Sequence, residues 1–297
     1  MTVKKSINEF FTYLINTKKA AANTVSAYRL DISTYSEYAE KCGFDIVSAK
    51  DSDIEKYKKY LVSRGFSTSS VSRAMSSLRG YYKYLNVTGV ISSNPAKAVK
   101  NDKNEKKTID VLTSEEVDRL LSQPDVKDIK GLRDKAMLEL MYATGIKVSE
   151  LISLNVSDVN LQLGCISCHG AESSKHDRRI YIYPTAVKTI RDYLKYSRAY
   201  LVDDDFEPLF VNIGGTRITR QGFWKILKSY ASRAGISKPI TPHILRNSFA
   251  THLLENGADI NDIKEILGHS DISSTLVYAN YLKSKGNKSY LKFHPRA

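Results

Sequence analysis

Pro242-His243-Ile244-Leu245-Arg246-Asn247-Ser248-Phe249-Ala250-Thr251-His252-Leu253-Leu254 is followed by Leu267-Gly268-His269, and nine residues beyond that histidine stands Tyr278. Upstream lies Ala143-Thr144-Gly145-Ile146-Lys147-Val148-Ser149-Glu150-Leu151. Taken singly, each residue has an ordinary explanation. A His or Arg near a helix start is a cap or a surface charge, and Tyr278 is one of 19 tyrosines that could pack anywhere. The information lies in the ordered set.

Outward from this stretch the chain changes texture once. Before residue 93 the apolar residues recur at helical spacing. Residues 3–18 predict a first helix, with Ile7, Phe10, Phe11 and Leu14 on one face. Residues 23–40 predict a second, where Val25, Tyr28, Ile32, Tyr35 and Tyr38 form the stripe. Residues 51–64 give a third. Residues 70–85 give a fourth, with Val71, Met75, Leu78, Tyr82 and Leu85 inward and Arg73 and Arg79 outward. The tyrosines share the face of the aliphatics, so they read as core rather than as a platform for stacking bases.

Asn94-Pro95 ends this bundle, and the charged stretch KAVKNDKNEKKTID reads as an exposed linker. Thr113 or Ser114 then caps a helix whose first turn holds Glu115 and Glu116. The remainder is mainly helical apart from residues 164–183, where CISCHG and RRIYIY flank a polar turn and predict a β-hairpin. The expected division is a helical domain at 1–93, a linker at 94–110 and a second domain at 111–297.

Composition narrows the partners. The 297 residues carry 45 Lys and Arg against 32 Asp and Glu, a net charge of +13, which favours a polyanion and most simply a nucleic acid. There is no run of 18 apolar residues, so no membrane span is expected. The opening MTVKKSINEFFTYL turns amphipathic and does not read as a secretory signal. Three cysteines argue against a disulfide framework, and a cytoplasmic location is expected. Cys165-Ile166-Ser167-Cys168-His169 matches the haem-attachment pattern but falls in a predicted strand, so it is read as accidental. Zinc is not expected either, since Cys42 stands alone in the other domain.

On HxLR at 243–246, LGH at 267–269 and Tyr278 in that order, behind an ATG-x-x-x-SEL segment, the chain resembles the tyrosine recombinase family, and within it the Xer-type recombinases. The ending His294-Pro295-Arg296-Ala297 is similar too. The resemblance implies a mainly α fold. It comprises a four-helix, SAM-like core-binding domain and a mostly helical catalytic domain with a small antiparallel hairpin. It also implies site-specific cutting and rejoining of DNA through a 3′-phosphotyrosine at Tyr278, an activated nucleophile. Arg246 would bind two phosphate oxygens with its planar fork. His243 and His269 would donate to those oxygens or move a proton, His269 being the closer to the nucleophile. Lys175, in the hairpin turn, would protonate the leaving 5′ oxygen. No cofactor, metal or ATP is implied. The alternatives are an integrase of a phage or conjugative transposon, which shares the chemistry, and a catalytically silent architectural DNA-binding protein.

Several positions depart from the family. Lys147 stands where it carries Arg, the first of its two phosphate-binding arginines; charge is kept and the bidentate fork is lost. Natural attenuation, an engineered substitution and a lysine that suffices are the competing readings. Asn247 replaces a second His found in many relatives, outside the catalytic set. The turn GAESSKHDRR differs from the family's usual form, with Lys175 as its one lysine. Tyr281 is the rival nucleophile, since it falls three residues along the same helix face.

For DNA contact, the resemblance places the second and fourth helices toward the major groove. Asn23, Thr24, Arg29, Ser70 and Arg73 are then the candidates. Thr219-Arg220-Gln221 begins a helix whose N-terminus could meet phosphate, with Arg220 and Gln221 able to reach base edges. The basic tail after Tyr278 would join four protomers, of one or two kinds, in a ring on two duplexes, and a DNA translocase could act as activator.

Overall fold

The computed structural model describes residues 2–100, 109–169 and 177–284. The chain divides into two compact units, 1–107 and 108–297.

The first unit is helical: α1 (Val3–Asn16), α2 (Ala22–Cys42), α3 (Asp51–Ser63) and α4 (Thr68–Val87). The amphipathic stripes meet in one core that includes Phe10, Phe11, Ile32, Tyr35, Ile54, Tyr57, Leu78, Tyr81 and Tyr82. The phenols of Tyr35, Tyr81 and Tyr82 are hydrogen-bonded within this core. Tyr82 donates to the carbonyl of Ile46 at 2.8 Å and accepts from Tyr35 at 2.8 Å. Ser6 donates to Val3, so it accepts from Tyr81 at 2.6 Å. The tyrosine stripe is therefore core, with its polar tips paired as burial requires.

Two departures from the expected boundaries have a visible cause. Helix α4 starts two residues early because Ser67 caps it, accepting from the backbone N–H of Ser70 at 3.2 Å. The bundle also runs past Asn94. Ala96 and Val99 are buried in its core, and Arg79, expected to point outward, donates to the carbonyls of Ala96 at 3.2 Å and Val99 at 2.7 Å. Apolar residues are few in this stretch, which is why its composition alone reads as linker. Residues 101–108 of the linker lie outside the described residues.

The second unit is assembled around α6 (Ile129–Thr144), which is buried on nearly every side. Ahead of it stands α5 (Ser114–Leu121), started by a capping box in which Thr113 and Glu116 bond each other's backbone N–H. After α7 (Val148–Ser153) come β1 (Val159–Asn160), β2 (Cys165–Cys168) and β3 (Arg178–Tyr181) in an antiparallel sheet of that order. Ile166 faces Ile180 in its register. The hairpin is thus β2–β3, with β1 as an edge the sequence did not announce. Helices α8 (Pro184–Tyr196), α9 (Arg220–Arg233), α10 (Pro242–Glu255), α11 (Ile260–Leu267) and α12 (Ser273–Ser284) complete the unit. The mainly α fold with a small antiparallel sheet is as expected.

Candidate active site

Helix α10 begins where its residues dictate. Thr241 caps it by accepting from Ile244 N–H at 3.3 Å, and Pro242 occupies the first turn, where a missing N–H costs nothing. This start leaves His243 exposed on the first turn and brings Arg246, one turn on, to the buried face.

Arg246 is the centre of the site. Only 4% exposed, its guanidinium donates to the carbonyl of Gly145 at 2.5 Å, to that of Leu267 at 2.8 Å and to His269 Nε2 at 3.0 Å. Its cation also acts on the Tyr278 phenol, whose pKa it lowers. One side chain thereby ties the ends of α6 and α11, and His269, to α10. Glycine is needed at both helix ends. Gly145 has φ +58°, and a Cβ there would come within 2.3 Å of the Phe249 ring. Gly268 has φ +64°, and its Cβ would meet the Arg178 guanidinium at 2.8 Å.

Tyr278, also 4% exposed, packs with Phe249, Ala250, Ile263 and Leu267. Burial pushes its phenol above the ordinary value, and the Arg246 cation pulls the other way. Tyr281, one turn further, is half-buried and is not part of that cluster. The geometry favours Tyr278 over its rival.

His269 is held down to about 4 by burial first and then by Arg246, Lys147 and Arg178, so its imidazole is neutral at pH 7. Arginine has only donors, so Nε2 must accept from Arg246. The ring proton therefore sits on Nδ1, which donates to Thr275 Oγ1 at 2.9 Å. Because folding lowers this pKa, the unfolded chain takes up the proton first. The stabilisation is complete above about 6.5 and is lost as pH falls towards about 4.

Lys147 is the exposed N-cap of α7. Its backbone N–H donates to Glu150 Oε2 at 2.8 Å. Lys147, Arg220, His243 and Arg246 line one pocket of about 150 Å³ together with Pro242, Ile146 and Ser149. Arg220 opens α9 behind its cap Thr219, whereas the exposed Gln221 beside it does not line the pocket. Lys175 and the tail beyond residue 284 lie outside the described residues.

The other DNA-contact candidates belong to the first unit. Asn23 and Thr24 are exposed on the first turn of α2. Arg29 stacks over Phe11 at 4.3 Å. The half-buried Ser70 is engaged with the cap Ser67. Arg73 forms a bidentate pair with the buried Asp31, at 3.0 and 2.8 Å. This pairing ties α4 to α2 and occupies two of the donors that the sequence reading left free.

Three residues around the centre carried no assignment from sequence. Glu150 and Arg178 form a bidentate pair at 3.0 and 2.9 Å, and Arg178 also donates to the carbonyl of Ile266 at 2.7 Å. Burial works to raise the Glu150 carboxyl, but Arg178 and the Lys147 N–H outweigh it and hold it below the usual range. Arg178 thus locks β3 to the turn that holds His269. Arg178→Lys should lower stability by about 1.5 kcal/mol through loss of the fork, measured by urea unfolding; unchanged stability would deny Arg178 this role. Thr275 is the third. Cys165 and Cys168 are buried in β2, while His169 bonds Asp158 and Asp177 at 3.0 and 3.1 Å. Among the described residues no helix is long and apolar enough to cross a membrane.

Over residues 110–285 the chain matches the phage integrase family, and over residues 7–89 the phage integrase N-terminal SAM-like domain. The chain belongs to the phage integrase family. It is 42% identical to the tyrosine recombinase XerD of Oceanobacillus iheyensis, over 98% of this chain and 99% of that protein. To XerD of Staphylococcus epidermidis it is 39% identical, with the same coverage. The fold resembles that of the XerH site-specific recombinase bound to palindromic difH substrate in a post-cleavage complex. The TM-score is 0.76 at 19% identity, covering 94% of this chain and 82% of the other. The family is that of the tyrosine recombinases which the sequence resembles.

Proposed function

We propose that this protein is a Xer-type site-specific recombinase that cuts and rejoins DNA through Tyr278. The observation that carries the reading is Arg246: a buried guanidinium that bonds His269, lowers the pKa of the buried Tyr278 phenol and lines a pocket with Lys147, His243 and Arg220. Such a cluster suits an in-line phosphoryl transfer, where charge grows on oxygens that fixed donors must meet.

In this reading Tyr278 Oη bonds to phosphorus while the bond from phosphorus to the 5′ oxygen breaks. The phenol cannot ionise unaided at pH 7, since burial raises its pKa. His269, neutral and with its Nε2 lone pair free once Arg246 turns to phosphate, takes the phenol proton. Arg246, Lys147 and His243 stabilise the phosphoryl oxygens. Lys175 supplies the proton to the leaving 5′ oxygen. The phosphotyrosine keeps the bond energy, and an incoming 5′-hydroxyl reverses the step. The first unit, with Asn23, Thr24, Arg29, Ser70 and Arg73, contributes duplex binding, as do Arg220 and Gln221. In this reading the protein acts in the cytoplasm as a homo- or hetero-tetramer joined through its tail, and a DNA translocase could serve as activator.

The test is covalent capture. Nicked duplexes randomised through two inverted half-sites are incubated with the protein, and DNA that stays attached in detergent is recovered and sequenced. An adduct that maps to Tyr278 is expected. A protein that enriches a sequence by binding and never forms an adduct would be the architectural alternative.

A further inference from the structure

We propose that Thr275 is a positioning residue for strand cleavage, its hydroxyl fixing the orientation and tautomer of His269 so that the helix delivering Tyr278 also readies the imidazole. The inference rests on the recombinase reading above and adds to it a residue and a coupling.

Every position on the Arg246 guanidinium is a donor, so the His269 Nε2 that faces it at 3.0 Å must present a lone pair. The single ring proton is then on Nδ1, and a buried N–H needs an acceptor. Thr275 Oγ1 is that acceptor at 2.9 Å, and Thr275 is fully buried, so water cannot replace it.

The second observation is sequence spacing. Thr275 and Tyr278 lie three residues apart on α12, which puts them on one face. Both side chains are buried, Tyr278 against the Arg246 side of the site and Thr275 against His269. Any displacement of α12 that withdraws the nucleophile also withdraws the acceptor of Nδ1–H. Nucleophile and proton acceptor are thereby made ready together, and a displaced helix leaves neither prepared.

Nitrogen-15 NMR of the imidazoles reads the tautomer directly in the free protein. The parent should show His269 with a protonated Nδ1 and a bare Nε2. Thr275→Val, which keeps shape and removes the hydroxyl, should lose that single tautomer, and Thr275→Ser should keep it. With a duplex recovered from the nicked pool, single-turnover cleavage at saturating DNA should fall about tenfold in Thr275→Val at unchanged DNA affinity, and Thr275→Ser should restore it. A Thr275→Val protein with the parental tautomer overturns the proposal, as does one whose tautomer shifts while cleavage keeps its parental rate. If the parent forms no adduct with any duplex, the recombinase reading fails instead, whatever the tautomer does.

Discussion

Tyr278→Phe should eliminate the covalent adduct and slow strand cleavage by roughly 10⁴-fold or more, the scale seen when a nucleophile is removed, while duplex binding is retained. The structure makes this a clean substitution. The ring keeps its contacts with Phe249, Ala250, Ile263 and Leu267, and only the hydroxyl beside Arg246 is lost. Stability should change by no more than about 1 kcal/mol, the net worth of one hydrogen bond. The control is Tyr281→Phe, which should form adduct at the parental rate. An adduct that persists in Tyr278→Phe and disappears only in the double variant would transfer the role to Tyr281. An adduct that survives in both would place the nucleophile elsewhere.

The proposed nucleophile was open to a reading by resemblance because the spacing from LGH to tyrosine is a linear property, and the helical bundle was legible because its apolar stripes repeat locally. What escaped the sequence depends on long-range pairing. Glu150 sits inside the SEL segment, yet its function follows from Arg178, 28 residues later at the start of β3. Arg178 itself was one of two adjacent arginines in a strand, and nothing in their order says which turns inward. Thr275 had a local signal, one helical turn before Tyr278, but its partner His269 lies before the helix begins. Arg73 erred in the other direction. Its outward position on α4 was read correctly, but the buried acid opposite it, Asp31, is 42 residues away. Arg79 shows the same limit, since the carbonyls it holds belong to a segment whose composition reads as linker.

Lys147 is where sequence and geometry meet most sharply, and Lys147→Arg should speed cleavage by roughly 10²-fold, the usual worth of one transition-state donor. The position is built for the exchange. The cap of α7 is made by the Lys147 backbone N–H on Glu150, not by the side chain, so α7 is indifferent to what the side chain is. The side chain is exposed and lines the same pocket as Arg220, His243 and Arg246. Arg246 already spends donors on the carbonyls of Gly145 and Leu267, leaving fewer for phosphate. A second planar fork at 147 would hold two oxygens where an ammonium holds one. Charge is conserved, so the slope of log affinity against log salt should stay the same and binding should change little. Stability should move by less than about 0.5 kcal/mol, as for surface substitutions. Faster cleavage at unaltered salt slope would identify Lys147 as the brake on the chemistry; equal rates in the two proteins would mean that a single ammonium here is enough.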